Sequence, residues 1–200
     1  MIEKISCAIV NYMLKHEAIS DTQENKEYYQ YGVEITVSSI FNIILILCLG
    51  LIFKSFTESI LFLLLFIPIR QYTGGYHANT YFKCNLTFAI VFSLLTILYR
   101  FTYRVLTSYI SILIVYICIL TIILNCPVEN PNKPIPKEKR KFHKTMAVTL
   151  GTIYGITGIV LVVFTNKYGA LILYTLLLVT ALVLAALIPK RRCKNEGSKK

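Results

Sequence analysis

The chain of 200 residues is 56% apolar and carries a formal net charge of +11. A soluble domain of this size has too little interior for so much apolar surface, so hydrocarbon is the expected solvent for the excess. The positive charge gathers in 133–144 and 190–200, beside apolar stretches; membrane topology accounts for it there, and a nucleic-acid partner is not expected.

In chain order, residues 1–32 read as an interfacial amphipathic region. Ile5, Ile9, Tyr12 and His16 fall at helical spacing, facing either lipid or the protein's own loops. The opening Met1-Ile2-Glu3-Lys4 lacks the apolar core of a signal peptide, so insertion is expected to rest on internal spans. Residues 33–126 then hold four membrane segments. Val33–Phe53 and Tyr109–Cys126 are long enough to cross about 30 Å of hydrocarbon. Ser59–Ile69 and Asn85–Tyr99 are short, the former interrupted by Pro68 and Arg70, and they flank a polar segment at 70–84; each is a tilted span extended by less apolar residues, or one of them re-enters without crossing.

A basic cytoplasmic loop is expected over 127–145, broken from the preceding helix by Pro127, Pro131, Pro134 and Pro136. Met146–Phe164 and Tyr168–Ile188 form a C-terminal helical hairpin (146–188), followed by a basic cytoplasmic tail, 189–200. The whole reads as one integral membrane domain, 1–200: an all-α, polytopic helical membrane protein of about six segments. Six crossings place both termini and the 70–84 segment on the cytoplasmic side. They also place Arg100 and Arg104 on the far side, against the charge rule. Gly151 and Gly155 make a small-xxx-small spacing that serves either internal packing, the favoured use, or the seam of a homodimer.

Six cysteines without paired spacing argue against a disulfide framework or a zinc site, and no metal or cofactor is expected. Cys7, Cys48, Cys118 and Cys126 read as small apolar residues.

The chemistry concentrates in Arg70-Gln-Tyr-Thr-Gly-Gly-Tyr-His-Ala-Asn-Thr-Tyr-Phe-Lys-Cys84. Polar residues at membrane depth usually have a task. His77 and Cys84 have the types of a base and nucleophile: an imidazole takes the thiol proton, stabilises the thiolate, and returns the proton to a leaving amine. On an unbroken helix positions i and i+7 lie roughly 10.5 Å apart, so a break between the two is expected, with Gly74 and Gly75 before it and Asn79 as a turn or cap. Oxyanion donors are sought among the amides near Gly74, Gly75 and Cys84 and the side chain of Gln71. Asn79, Asn85, Gln71 and Glu58 are the alternatives for orienting His77. Arg70 and Lys83 either hold an acidic group of a substrate or mark the interface.

At Arg70, Gly74-Gly75, His77-Ala78 and Cys84 the chain resembles the accessory gene regulator protein B (AgrB) family of quorum-sensing processing peptidases. Pro131–Pro134 before a basic stretch and the final hairpin fit the same likeness. The resemblance implies a membrane-embedded cysteine endopeptidase that cuts a small AgrD-like pro-peptide near its C-terminus. Cys84 would be the nucleophile and His77 the base, and the acyl-enzyme would be resolved by cyclisation to a thiolactone or lactone. An acidic tail on that peptide would meet Lys137, Lys139, Arg140, Lys141 and Lys144, and membrane lipid would be the other partner. Two competing readings are a non-enzymatic peptide exporter and a structural membrane subunit, neither of which gives His77 and Cys84 a role.

Overall fold

A computed structural model of the chain describes residues 2–16, 22–74, 81–128, 136–164 and 167–187. They form seven helices: α1 (Ile2–Lys15), α2 (Gln23–Ile52), α3 (Phe56–Thr73), α4 (Tyr81–Thr102), α5 (Ser108–Asn125), α6 (Lys137–Val163) and α7 (Lys167–Leu187). Among the described residues the only extended pairing is a single parallel bridge between Gly74 and Val128. Five helices, α2 and α4 to α7, are long and apolar enough to cross a membrane. Their outward faces carry large apolar side chains, on α5 Tyr109, Leu113, Tyr116, Leu120 and Leu124, all exposed. Hydrocarbon is the solvent that suits such faces. The chain is a polytopic helical membrane protein.

Several elements differ from the sequence expectation. Pro68 does not interrupt α3, which continues to Thr73; a proline is accommodated inside a membrane helix when the freed carbonyl is satisfied locally. With Glu58 near one end and Arg70 near the other, α3 falls outside the five spanning helices. Conversely, α4 is longer than its apolar run, because Tyr81–Cys84 and Arg100–Thr102 join the helix. The basic stretch expected as loop is helical from Lys137 onward, forming the first turns of α6. Lys and Arg are good helix formers, and Pro136 starts the helix with its fixed φ.

The chain divides into two compact units, Met1–Leu64 with Ala78–Tyr103, and Leu65–His77 with Arg104–Lys200. In the first, α1 packs on α2 through buried Ser6 and Val10, and the Ser6 hydroxyl donates to Glu34 Oε1 at 3.2 Å. Of the two alternatives for Ile5, Ile9 and Tyr12, the row is exposed rather than packed on the protein's own loops, the arrangement that suits a lipid-facing surface. Phe62, fully buried, stacks at 5.2 Å on Phe92 of α4. A tight turn joins α2 to α3: Lys54 adopts a positive φ of 52°, and a Cβ at Gly50 would sit 2.3 Å from Ser59 Oγ. Arg100 closes the end of α2 by donating to the Phe53 carbonyl and, at 3.1 Å, to Ser55 Oγ. A cation at a helix C-terminus satisfies orphan carbonyls and the dipole together. That gives Arg100 a structural task on whichever side of the membrane it lies.

In the second unit α5, α6 and α7 pack on one another. The most enclosed is α7, buried from Gly169 through Leu176. A Cβ at Gly155 would lie 2.5 Å from Val115 Cγ1 of α5, and one at Gly158 2.6 Å from Leu173 Cδ2 of α7. The glycine row of α6 is therefore an internal packing face and does not supply the seam of a homodimer.

Candidate active site

The polar segment between α3 and α4 is approached from its two ends. At the first, α3 stops at Gly74, whose φ of +67° is the left-handed conformation that glycine adopts freely. The Gly74 N–H donates to the Arg70 carbonyl at 3.2 Å in the last helical turn. Its carbonyl accepts from the Arg70 guanidinium and, at 3.3 Å, from the Thr73 hydroxyl. The neighbouring Thr73 carbonyl accepts the Val128 N–H at 3.0 Å, and a Cβ on Gly74 would fall 2.2 Å from the Val128 carbonyl oxygen. This end of the segment is thus clamped to the strand-like residues that follow α5.

Two residues of the expected site have backbone partners here. Arg70, read as a substrate or interface residue, donates to the carbonyl at the end of its own helix. Gly74, read as loosening the chain and lending an amide to an oxyanion, already gives that amide to Arg70. Tyr72, two residues earlier, lies edge-on to His143 at 5.7 Å and Phe142 at 6.1 Å, which ties the last turn of α3 to the first turns of α6. His143 Nδ1 lies 2.9 Å from the Lys139 carbonyl, so this histidine is held rather than merely solvated. Gln71 is exposed. Glu58 sits in the first turn of α3, the end away from Gly74. Gly75, His77 and Asn79, and with them the geometry of the His77–Cys84 pair, lie outside the described residues.

At the second end, α4 begins at Tyr81 and holds Cys84 in its first turn. Cys84 is half-buried, whereas Cys7 and Cys48 are exposed and Cys118 and Cys126 buried. The next residue, Asn85, is 5% exposed and turns its side-chain oxygen to two donors on α2: Ser38 Oγ at 3.1 Å and Asn42 Nδ2 at 2.9 Å. Interhelical polar bonds of this kind fix the rotation of one membrane helix against another, and so the direction of the first turn that carries Cys84. Ser38 and Asn42 were not singled out from sequence. Their signal is visible there, as two polar residues four positions apart inside an apolar span. Lys83, the residue before Cys84, is exposed.

The cations of the basic stretch gather elsewhere. Arg140, Lys141 and Lys144 line a cleft of about 430 Å³ with Leu124, Asn125, Cys126 and Pro127. Lys139 is exposed but not part of that lining, and the Lys137 side chain lies outside the described residues. Burial pushes the Cys126 thiol up to about 11, the Arg70 and Lys144 charges offsetting part of the rise. Cys126 is therefore a neutral thiol at physiological pH and a poor nucleophile. Among the described residues no group of three His, Cys, Asp or Glu side chains gathers to hold a metal ion.

These features define a multi-pass helical membrane protein in which a half-buried cysteine lies in the first turn of a helix that follows a polar stretch of sequence. The chain belongs to the accessory gene regulator B family, whose model matches residues 6–184. It is similar to AgrB-like protein 2 of Clostridium perfringens strain 13, with 30% identity over 160 residues, 77% of this chain and 74% of that one. Accessory gene regulator protein B of Staphylococcus epidermidis is 27% identical over 162 residues, 80% of this chain and 79% of its own length. Protein FsrB of Enterococcus faecalis matches over 87 residues at 24% identity, 42% of this chain and 36% of its own length. No solved structure matches the chain. The family is one of accessory gene regulation, that is, of quorum sensing.

Proposed function

We propose that the protein is a cysteine endopeptidase of the bacterial cell membrane, its termini cytoplasmic, that cuts a small AgrD-like pro-peptide and promotes its cyclisation. The observation that carries this reading is Cys84, a half-buried thiol in the first turn of a spanning helix, directly after the polar segment that contains His77. The other described thiols are either enclosed or on outward faces.

In this scheme His77 takes the Cys84 proton and the thiolate attacks the scissile carbonyl. The C–N bond breaks, the imidazolium protonates the departing amine, and a thioester joins the N-terminal fragment to Cys84. A thiol or hydroxyl of the same fragment then attacks that thioester, its proton passing through His77 to the released Cys84 sulfur. The products are a C-terminal fragment and a thiolactone or lactone ring. Gln71, Gly75 and the backbone N–H of Cys84 are the candidate donors for the oxyanion, and Asn79 is an orienting partner for His77. Ring closure competes with hydrolysis, and a site partly shielded by lipid and protein favours closure.

Co-expression of a small pro-peptide with the intact chain, Cys84→Ala and His77→Ala tests the reading. Both variants should reach the membrane at unchanged levels and release no C-terminal fragment. Processing by Cys84→Ala would remove the nucleophile and leave the exporter reading in its place.

A further inference from the structure

The cleft at the end of α5 is lined by residues other than His77 and Cys84. Its floor comes from Leu124, Asn125, Cys126 and Pro127, where α5 ends, and its wall from Arg140, Lys141 and Lys144 in the first turns of α6. Both helices are long and apolar enough to span, so a feature built from the end of one and the start of the other lies at the depth of lipid headgroups.

We propose that this cleft seats the phosphate headgroup of an anionic phospholipid. Among the described residues that line it are three cations and no carboxylate; Glu138, in the same helix turn, is not one of them. Its volume of about 430 Å³ admits a phosphate with its glycerol. The apolar part suits the region where headgroup gives way to acyl chain: Leu124 is 70% exposed, next to the cleft and on the outward face of α5. Asn125 is held by its Nδ2, which donates to the Thr121 carbonyl at 3.0 Å. Basic pockets between spanning helices bind anionic headgroups by this combination of fixed cations and adjoining hydrocarbon. A soluble acidic peptide would satisfy the cations but not the exposed apolar margin, and a lipid is always at hand in the bilayer.

Each cation near an anionic lipid surface contributes about fivefold in affinity. The full chain is reconstituted in phosphatidylcholine nanodiscs, and binding of a fluorescent phosphatidylglycerol is titrated. Saturable binding to the intact protein is expected. The triple change Arg140→Gln, Lys141→Gln and Lys144→Gln should weaken it roughly a hundredfold. Lys139→Gln, on the same helix but outside the cleft, should alter it less than about twofold. The charge-keeping pair Lys141→Arg and Lys144→Arg should bind like the intact chain, which separates loss of the site from loss of the fold. Equal binding of fluorescent phosphatidylcholine, or a Lys139→Gln effect as large as the triple change, would overturn the proposal. So would displacement of the lipid by millimolar inorganic phosphate or by an acidic peptide, which would make the cleft a site for soluble anions or for peptide.

Discussion

At Gly74 three demands meet on one backbone position: a positive φ, a carbonyl shared by Arg70 and Thr73, and a close approach to Val128. Any L-residue in that conformation costs about 1–2 kcal/mol, and a Cβ would also overlap the Val128 carbonyl. Gly74→Ala should therefore lower the thermal unfolding midpoint in detergent, whereas Gly32→Ala, where nothing lies within 4 Å of the added carbon, should leave it unchanged or raise it slightly. Cys126 supplies a second residue-scale expectation. With a pKa of about 11, well under one thiol in a thousand is ionised at pH 7.5, so maleimide labelling should spare Cys126 while reaching Cys84. The folded value lies above the ordinary 9.0. Its contribution to stability is therefore complete below pH 9 and fades as pH climbs toward 11. Arg70→Gln removes a charge that holds the thiol down, so it should raise that pKa further and shift the alkaline onset of labelling upward.

Among the elements, α4 owes its rotational setting to Asn85 between Ser38 and Asn42. Asn85→Leu removes two interhelical bonds, each worth about 0.6–1.7 kcal/mol in a membrane. It should reduce pro-peptide processing even though Cys84 is intact, which a comparison of cleavage rates at equal membrane levels would check. The glycine row of α6 is the other demanding element. Gly155→Leu must displace Val115, and overpacking of that kind costs about 1–3 kcal/mol. What could be read from sequence divides along the same physical lines. The apolar runs of α2, α5, α6 and α7 were legible because hydrocarbon imposes a length and composition that few other contexts do. The polar segment stood out because polar groups at that depth are expensive. The course of α3 through Pro68 and the helical state of Lys137–Lys144 were not legible, since a proline more often ends a helix than continues in one, and a basic run beside a span has the same composition as loop or as helix. The capping tasks of Arg70 and Arg100 were hidden for a similar reason: a cation near a helix end has the same residue pattern whether it meets a carbonyl or water.

For the molecule as a whole, the standing of α3 decides the topology. If α3 crosses with the five other spanning helices, the count is even and both termini share a side. If it does not, they lie on opposite sides. Reporter fusions at residues 16 and 187 distinguish the cases, and the six-crossing arrangement predicts cytoplasmic signals from both.

The enclosure of α7 has a consequence for biosynthesis. It leaves the ribosome after α5 and α6, yet the side chains that fill the space beside Gly158 belong to it. Until it arrives, α5 and α6 stand in lipid with part of a small-residue face uncovered, a surface suited to close helix pairing. A chain ended at residue 164 should insert and then associate with a second copy through that face. An α7 segment expressed separately should dissolve the association by taking the vacant place.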